Sequence, residues 1–323
     1  MTAPVRAERN RTLALSPEER AELEKSLLVP TAPLAPAEAE DRLICGDMTK
    51  IAPLLPDNFA DLLILDPPYN LDKVFNGRKF SRTGDDAYLE LLESWLAPLI
   101  HTLKPDASIY LCGDWRSSSP CFTALARHFK VRNRIVWQRE KGRGAERNWK
   151  NCAEDIWFAT VSDDYHFDVG KVKQLRRVIA PYRENGAPKD WRETAEGNFR
   201  LTCPSNFWDD LTVPFWSMPE NTDHPTQKPE KLLAKLILAS SRPGDLVLDP
   251  FMGSGTAPVV ARKLGRRFCG IEIDRTYCCY AAARLRRAAS DHSIQGYRDG
   301  VFLERNCRFT SFHEKRSKTR KAR

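Results

Sequence analysis

Short, continuous apolar runs that each end on an acid or a proline dominate this chain: RLICGD at 42–47, ADLLILDPPY at 60–69, ASIYLCGD at 107–114, DLVLDP at 245–250 and RFCGIEID at 267–274. A strand with one wet face alternates apolar and polar residues. An uninterrupted run reads instead as a strand covered on both faces, as in a mostly parallel sheet. Helical spacing fills the intervals. DDAYLELLESWLAPLIHTL places Tyr88, Leu91, Leu92, Trp95, Leu96 and Leu99 on one side, and SPCFTALARHF, QKPEKLLAKLILASS, SGTAPVVARKLG and RTYCCYAAARLRRAAS follow the same period. NRIVWQRE and AEDIWFATVS read as two further, neighbouring strands. Strand–helix alternation of this kind predicts one α/β sheet.

The alternation fails over 161–223, where nine aromatics from Tyr165 to Trp216 lie among Lys, Arg, Pro and Gly. This reads as an irregular module set into the domain. The five expected segments are a flexible extension at 1–40, a first half-domain at 41–160, the module at 161–223, a second half-domain at 224–290 and a basic tail at 291–323. Within the extension, Ser16-Pro17-Glu18-Glu19 has the chemistry of a helix start. Lys and Arg total 51 against 43 Asp and Glu, a net charge of +8. FHEKRSKTRKAR at the end supplies five of those eight charges and reads as a solvated tail. A basic excess suits a polyanionic partner such as nucleic acid only weakly. The nine cysteines form no Cys-x-x-Cys pair, so neither a zinc site nor a disulfide framework is expected. The N-terminus lacks the layout of a secretory signal, and no apolar run reaches spanning length, so a cytoplasmic protein is expected.

Two strand ends carry the chemistry. Asp249-Pro-Phe251-Met-Gly253-Ser254-Gly255-Thr256 follows one strand and opens a helix, where glycines let backbone approach a ligand. Glu272 ends the next strand, a spacing resembling that at which an acid meets ribose hydroxyls in nucleotide-binding units. Pro258 stands where a dinucleotide fingerprint has its third glycine, so a nucleoside cofactor without a pyrophosphate fits better than NAD. Asp66-Pro67-Pro68-Tyr69 ends the other strand. Two prolines remove two backbone donors and leave an acceptor-rich corner beside an aromatic ring. Such a corner suits an amino group that donates hydrogen bonds while its own ring stacks.

DPPYN at 66–70, HPTQKP at 224–229 and DPFMGSGT at 249–256 together resemble the DNA amino-methyltransferases. Their order is similar to that of the circularly permuted beta group, and the resemblance covers about residues 42–290. It implies a Rossmann-like fold with a mostly parallel seven-stranded sheet, S-adenosylmethionine as cofactor, and an inserted DNA-recognition module. Carried over residue by residue, it implies a target-base site at Asp66, Pro67, Pro68 and Tyr69. It implies a cofactor turn at Asp249, Phe251, Gly253, Ser254, Gly255 and Thr256, with Glu272 and Asp274 at the next strand end and Asp47 near the adenine. Thr226 and Lys228 would meet the methionine end, Lys228 pairing with its carboxylate. Residues 206–208 would line the pocket mouth. The implied substrate is double-stranded DNA, and a cognate restriction endonuclease and a homodimer accord with the family.

DNA contacts are expected from the basic loop 139–150, with Arg139, Lys141, Arg143, Arg147 and Lys150, and from Arg176 and Arg177 in the segment 171–192. The loop 70–86 is expected to close over the base. Asp rather than Ser before Pro-Pro-Tyr favours N6 of adenine. N4 of cytosine stays open, as do methylation of RNA or of a protein amide and a non-catalytic DNA-binding protein. Attack by Cys121 on a cytosine ring would leave the DPPY corner unexplained.

Overall fold

The computed structural model describes residues 7–75, 78–139, 146–179, 182–194 and 197–305. Among these, eight strands form the central sheet, in the order Arg42–Cys45, Arg267–Glu272, Leu246–Asp249, Ala60–Leu65, Leu103–Asp114, Ala153–Thr160, Lys130–Gln138 and Phe207–Trp208. The first five run parallel to one another, while Ala153–Thr160 runs antiparallel to both of its neighbours. The sheet is thus mostly parallel, as the apolar runs require. The strand beyond the expected seven is Phe207–Trp208, which pairs parallel with Val136 and Trp137 at the edge.

Helices cover both faces. Asp85–Leu96 buries Tyr88, Leu92 and Leu96, and Leu99 is buried in the 3-10 turn that follows. Leu91, expected on that face, is 37 % exposed, because it stands on the solvent rim of the apolar stripe. Glu230–Ser240 is buried along its whole length. It is flanked by helix Thr256–Lys263 and the turn Val169–Val172, and its lysines meet Phe302 and Leu303 of a second sheet with the order Arg192–Thr194, Gly197–Thr202, Gln174–Arg177, Val301–Leu303 and Tyr297–Arg298. Two lysines of the helix are therefore drawn into the core. Lys235 is 1 % exposed, bonds Asp210 at 2.5 Å and lies 4.7 Å from the Trp208 ring centre. Burial brings its ammonium down to about 8.

Two segments depart from expectation. The module at 161–223 supplies only three strands of the second sheet. The other two come from residues 297–303, inside the segment expected as a tail, where Phe302 is fully buried. The remainder of that tail, 306–323, lies outside the described residues. The N-terminal extension is also packed rather than a tether. Pro17–Glu24 has a complete capping box between Ser16 and Glu19 and packs on Arg275–Ala288. Leu13 and Leu23 are buried, and Leu28 bridges Ile44 in parallel. Apolar residues at a few anchor points tie both segments down despite their polar composition. Among the described residues no helix is long and apolar enough to cross a membrane.

Candidate active site

The parallel strands Ala60–Leu65, Leu246–Asp249 and Arg267–Glu272 lie side by side, so their carboxyl ends bring Asp66, Asp249 and Glu272 to one rim. Open α/β sheets bind ligands there. The rim opens on a cavity of about 380 Å³ whose walls include Asp66–Tyr69, Thr226, Lys228, Asp249–Ser254 and Glu272.

One half of the cavity is the glycine turn. Asp249 is 5 % exposed, and its carboxylate accepts the Phe251 N–H at 3.1 Å. Gly253 and Gly255 have φ of +53° and +78°, where only glycine sits without strain. A Cβ on Gly255 would stand 2.4 Å from that of Ala281, so this glycine lets helix Arg275–Ala288 pass against the turn. Gly255 itself is not on the cavity wall. Glu272 accepts the N–H groups of Gly253 at 3.1 Å and Asp274 at 2.8 Å. Burial pushes the Asp249 carboxyl well up and the Glu272 carboxyl up. Neither is salt-bridged to a cation among the described residues. Two acceptor groups without a cationic partner, Asp249 buried and Glu272 half-buried, fit hydroxyl donors and a positively charged ligand, as S-adenosylmethionine would present. Phe251 is met edge-on by Trp95 at 5.2 Å. Asp47 and Asp274 both line the cavity and cap the helices that follow them.

Behind the turn, Arg284 is 4 % exposed and donates to the Ser254 carbonyl, the Thr256 hydroxyl and Glu230. The Thr256 hydroxyl donates in turn to the Lys228 carbonyl at 3.2 Å. Glu220 borders this network, its carboxyl accepting the Glu230 N–H at 2.7 Å. It sits beside Glu230, and burial first and Glu230 second bring its carboxyl up to about 7. A carboxyl raised on folding holds an extra proton in the native state between its ordinary 4.5 and about 7. Stability is therefore lost as pH rises through that window. Glu220→Gln is expected to flatten the pH dependence of Tm between about pH 5 and about pH 8 and to raise Tm at the upper end. A variant whose Tm tracks the wild type at both ends would contradict this.

The other half is the Asp66–Tyr69 corner, which also holds Lys228, expected at the methionine end of the cofactor. Its ammonium is paired within the protein. It donates to both Asp66 oxygens at 2.7 Å and to the Tyr69 hydroxyl at 3.0 Å. Burial alone would lower the Lys228 pKa, but Asp66 and then Glu154 hold it above the usual lysine range. The Pro68 carbonyl is likewise not open, since the Tyr88 hydroxyl donates to it at 3.0 Å. No bond to the Pro67 carbonyl is found among the described residues, leaving it available to a ligand. Asn70 is buried and pairs with Thr83 through both N–H···O bonds, which pins the base of the loop expected to close.

Sequence reasoning missed Glu154. It is 5 % exposed on the antiparallel strand Ala153–Thr160, and its carboxylate accepts from Tyr69 at 3.1 Å and from Arg139. An acid at the head of the apolar run AEDIWFAT was the available signal. Arg139, expected on a DNA-facing loop, instead turns into the corner to pair with it. Arg176 is spent on Asp209 and Glu304. Arg177 is exposed, as are Arg147 and Lys150 beside Trp149, which is 97 % exposed. Lys141 and Arg143 lie outside the described residues. Residues 206–208 do not reach the cavity. They extend the sheet edge, where Asn206 donates to the Arg134 carbonyl.

Comparison with known proteins finds a match to the family described as DNA methylase, of N6/N4 type, over residues 60–283. The type II methyltransferase M.HpaI of Haemophilus parainfluenzae is 33 % identical over 249 residues, which cover 76 % of this chain and 74 % of that protein. The DNA adenine methyltransferase YhdJ of Escherichia coli K12 is 34 % identical over 261 residues, 78 % and 85 % of the two chains. Among solved structures, the M1.HpyAVI–SAM complex superposes with a TM-score of 0.50 at 26 % identity, covering 75 % of this chain and 98 % of that one. The cytosine-N4-specific PvuII DNA methyltransferase has the same fold, with a TM-score of 0.55 at 19 % identity over 75 % and 85 % of the chains.

Proposed function

The chain belongs to the N6/N4 DNA methylase family, and from that membership we propose that it transfers the methyl group of S-adenosylmethionine to the exocyclic N6 of an adenine drawn out of double-stranded DNA. The observation that carries this reading is the single cavity in which the Asp66–Tyr69 corner faces the Asp249–Ser254 turn and Glu272. An exocyclic amine is a poor nucleophile because its lone pair is delocalised into the ring. Asp66 and the Pro67 carbonyl accept its two N–H groups, which favours a pyramidal nitrogen with its lone pair aimed across the cavity. This is positioning and electrostatics, and Asp66 need not act as a strong base. The Tyr69 ring supplies a stacking face worth about 1–3 kcal/mol, offsetting part of the cost of unstacking the base.

S-adenosylmethionine, when bound, supplies an electrophilic sulfonium methyl. Glu272 takes the ribose hydroxyls, Asp249 orders the turn, and Asp47 and Thr226 line the remainder of the cofactor half. Arg147, Trp149 and Lys150 present a basic and aromatic surface to DNA, and the second sheet serves as the recognition module. The name of the Escherichia coli relative supports adenine, and so does Asp rather than Ser at 66. The type II name of the Haemophilus relative supports a restriction–modification setting with a cognate endonuclease.

The test is to methylate mixed-sequence DNA, digest it to nucleosides and separate them by mass spectrometry. N6-methyladenine is expected. N4-methylcytosine alone would overturn the choice of base, and the absence of any methylated nucleoside would overturn the enzymatic reading.

A further inference from the structure

At the base corner one ammonium lies between two carboxylates. All three Lys228 protons are used, two on Asp66 and one on the Tyr69 hydroxyl. The single Tyr69 hydroxyl proton is shared between Asp66 Oδ1 and Glu154 Oε2, each at 3.1 Å. An arriving amine therefore meets an acceptor whose charge is spent on Lys228. A second anion stands within reach. Glu154 Oε2 is 3.6 Å from the Lys228 nitrogen and 3.1 Å from the Tyr69 hydroxyl. Its other oxygen is held by Arg139, which fixes the carboxylate in place.

We propose that Glu154 is a positioning residue for methyl transfer, receiving the Lys228 ammonium from Asp66 as the target amine arrives. The displacement is short: the nitrogen closes from 3.6 Å to a hydrogen-bond distance of about 2.8 Å on a flexible four-carbon stem. Without a second anion, freeing Asp66 would leave a buried ammonium unpaired, which is costly. Lys228 is 8 % exposed, so water cannot substitute fully. The inference rests on the amine-transfer reading of the preceding subsection.

Two substitutions separate charge from shape. Glu154→Gln keeps the shape and removes the charge, whereas Glu154→Asp keeps the charge on a shorter arm. Glu154→Gln is expected to lower kcat by about 10-fold or more, with the KM for DNA and the Kd for S-adenosylmethionine within about twofold of wild type. Glu154→Asp is expected to retain the larger share of kcat, since the lysine stem can follow the shorter acid. A Gln variant as active as the Asp variant, or as the wild type, would mean that only shape matters and would overturn the proposal. Cofactor calorimetry checks folding. If the Gln variant binds no cofactor, the Asp variant decides alone: a kcat below about a tenth of wild type overturns the proposal, and a higher one upholds it. A wild-type protein that methylates no DNA is a different failure, that of the function itself, and is seen before any variant is made.

Discussion

Replacing Asp66 by Asn is expected to lower methyl transfer by about 10²–10³-fold, the size of effect seen when one preorganised polar contact to a reacting centre is lost. Asn keeps the side chain's size but offers one acceptor oxygen where Asp66 offers two, and carries no charge. The Pro67 carbonyl and the Tyr69 ring remain. Cofactor binding should survive, because Asp66 bonds Lys228 and Tyr69 rather than the glycine turn. Asp66→Ala should behave alike, with Glu154 left as the nearest anion to Lys228 at 3.6 Å. Single-turnover methylation with saturating DNA, together with calorimetry of S-adenosylmethionine, reads both halves. A rate for Asp66→Asn within about threefold of wild type would remove Asp66 from the reaction.

Gly253→Val is expected to weaken S-adenosylmethionine binding by about 100-fold or more. The backbone there has φ of +53°, a region that a β-branched residue enters only at a cost. The added Cβ would also stand 2.8 Å from Nε2 of His224. That ring cannot simply swing aside, since it packs edge-on against Tyr277 with centroids 4.4 Å apart. The turn must shift instead, and with it the Gly253 N–H that Glu272 accepts. The expected result is loss of cofactor affinity in a chain that still folds, as judged by Tm. Calorimetry showing unchanged affinity would overturn the assignment of this turn to the cofactor.

Seven of the eight central strands, their ends and the two turns set on them were legible in the sequence. Those features are local. A strand buried on both faces writes itself as an unbroken apolar run, as in ADLLIL and LVLD. Two prolines in series restrict the backbone wherever they fall, and glycine alone enters positive φ at no steric cost. Asp66, Asp249 and Glu272 could thus be named, and the sheet brought them to one rim. Only the tertiary structure decided which charge meets which. Lys228 and Asp66 are 162 positions apart, and Tyr69 and Glu154 are 85 apart. No local preference encodes such a pairing, because it depends on which strands become neighbours. The same holds for Arg139, which left an expected DNA surface for the corner once Glu154 was buried beside it. It holds as well for residues 297–303 and the N-terminal helix. Their polar surroundings read as tails, yet Phe302, Leu13 and Leu23 found apolar ground that other parts of the chain supply. Burial is a property of the whole fold, and a few well-placed side chains outweigh the composition of the segment that carries them.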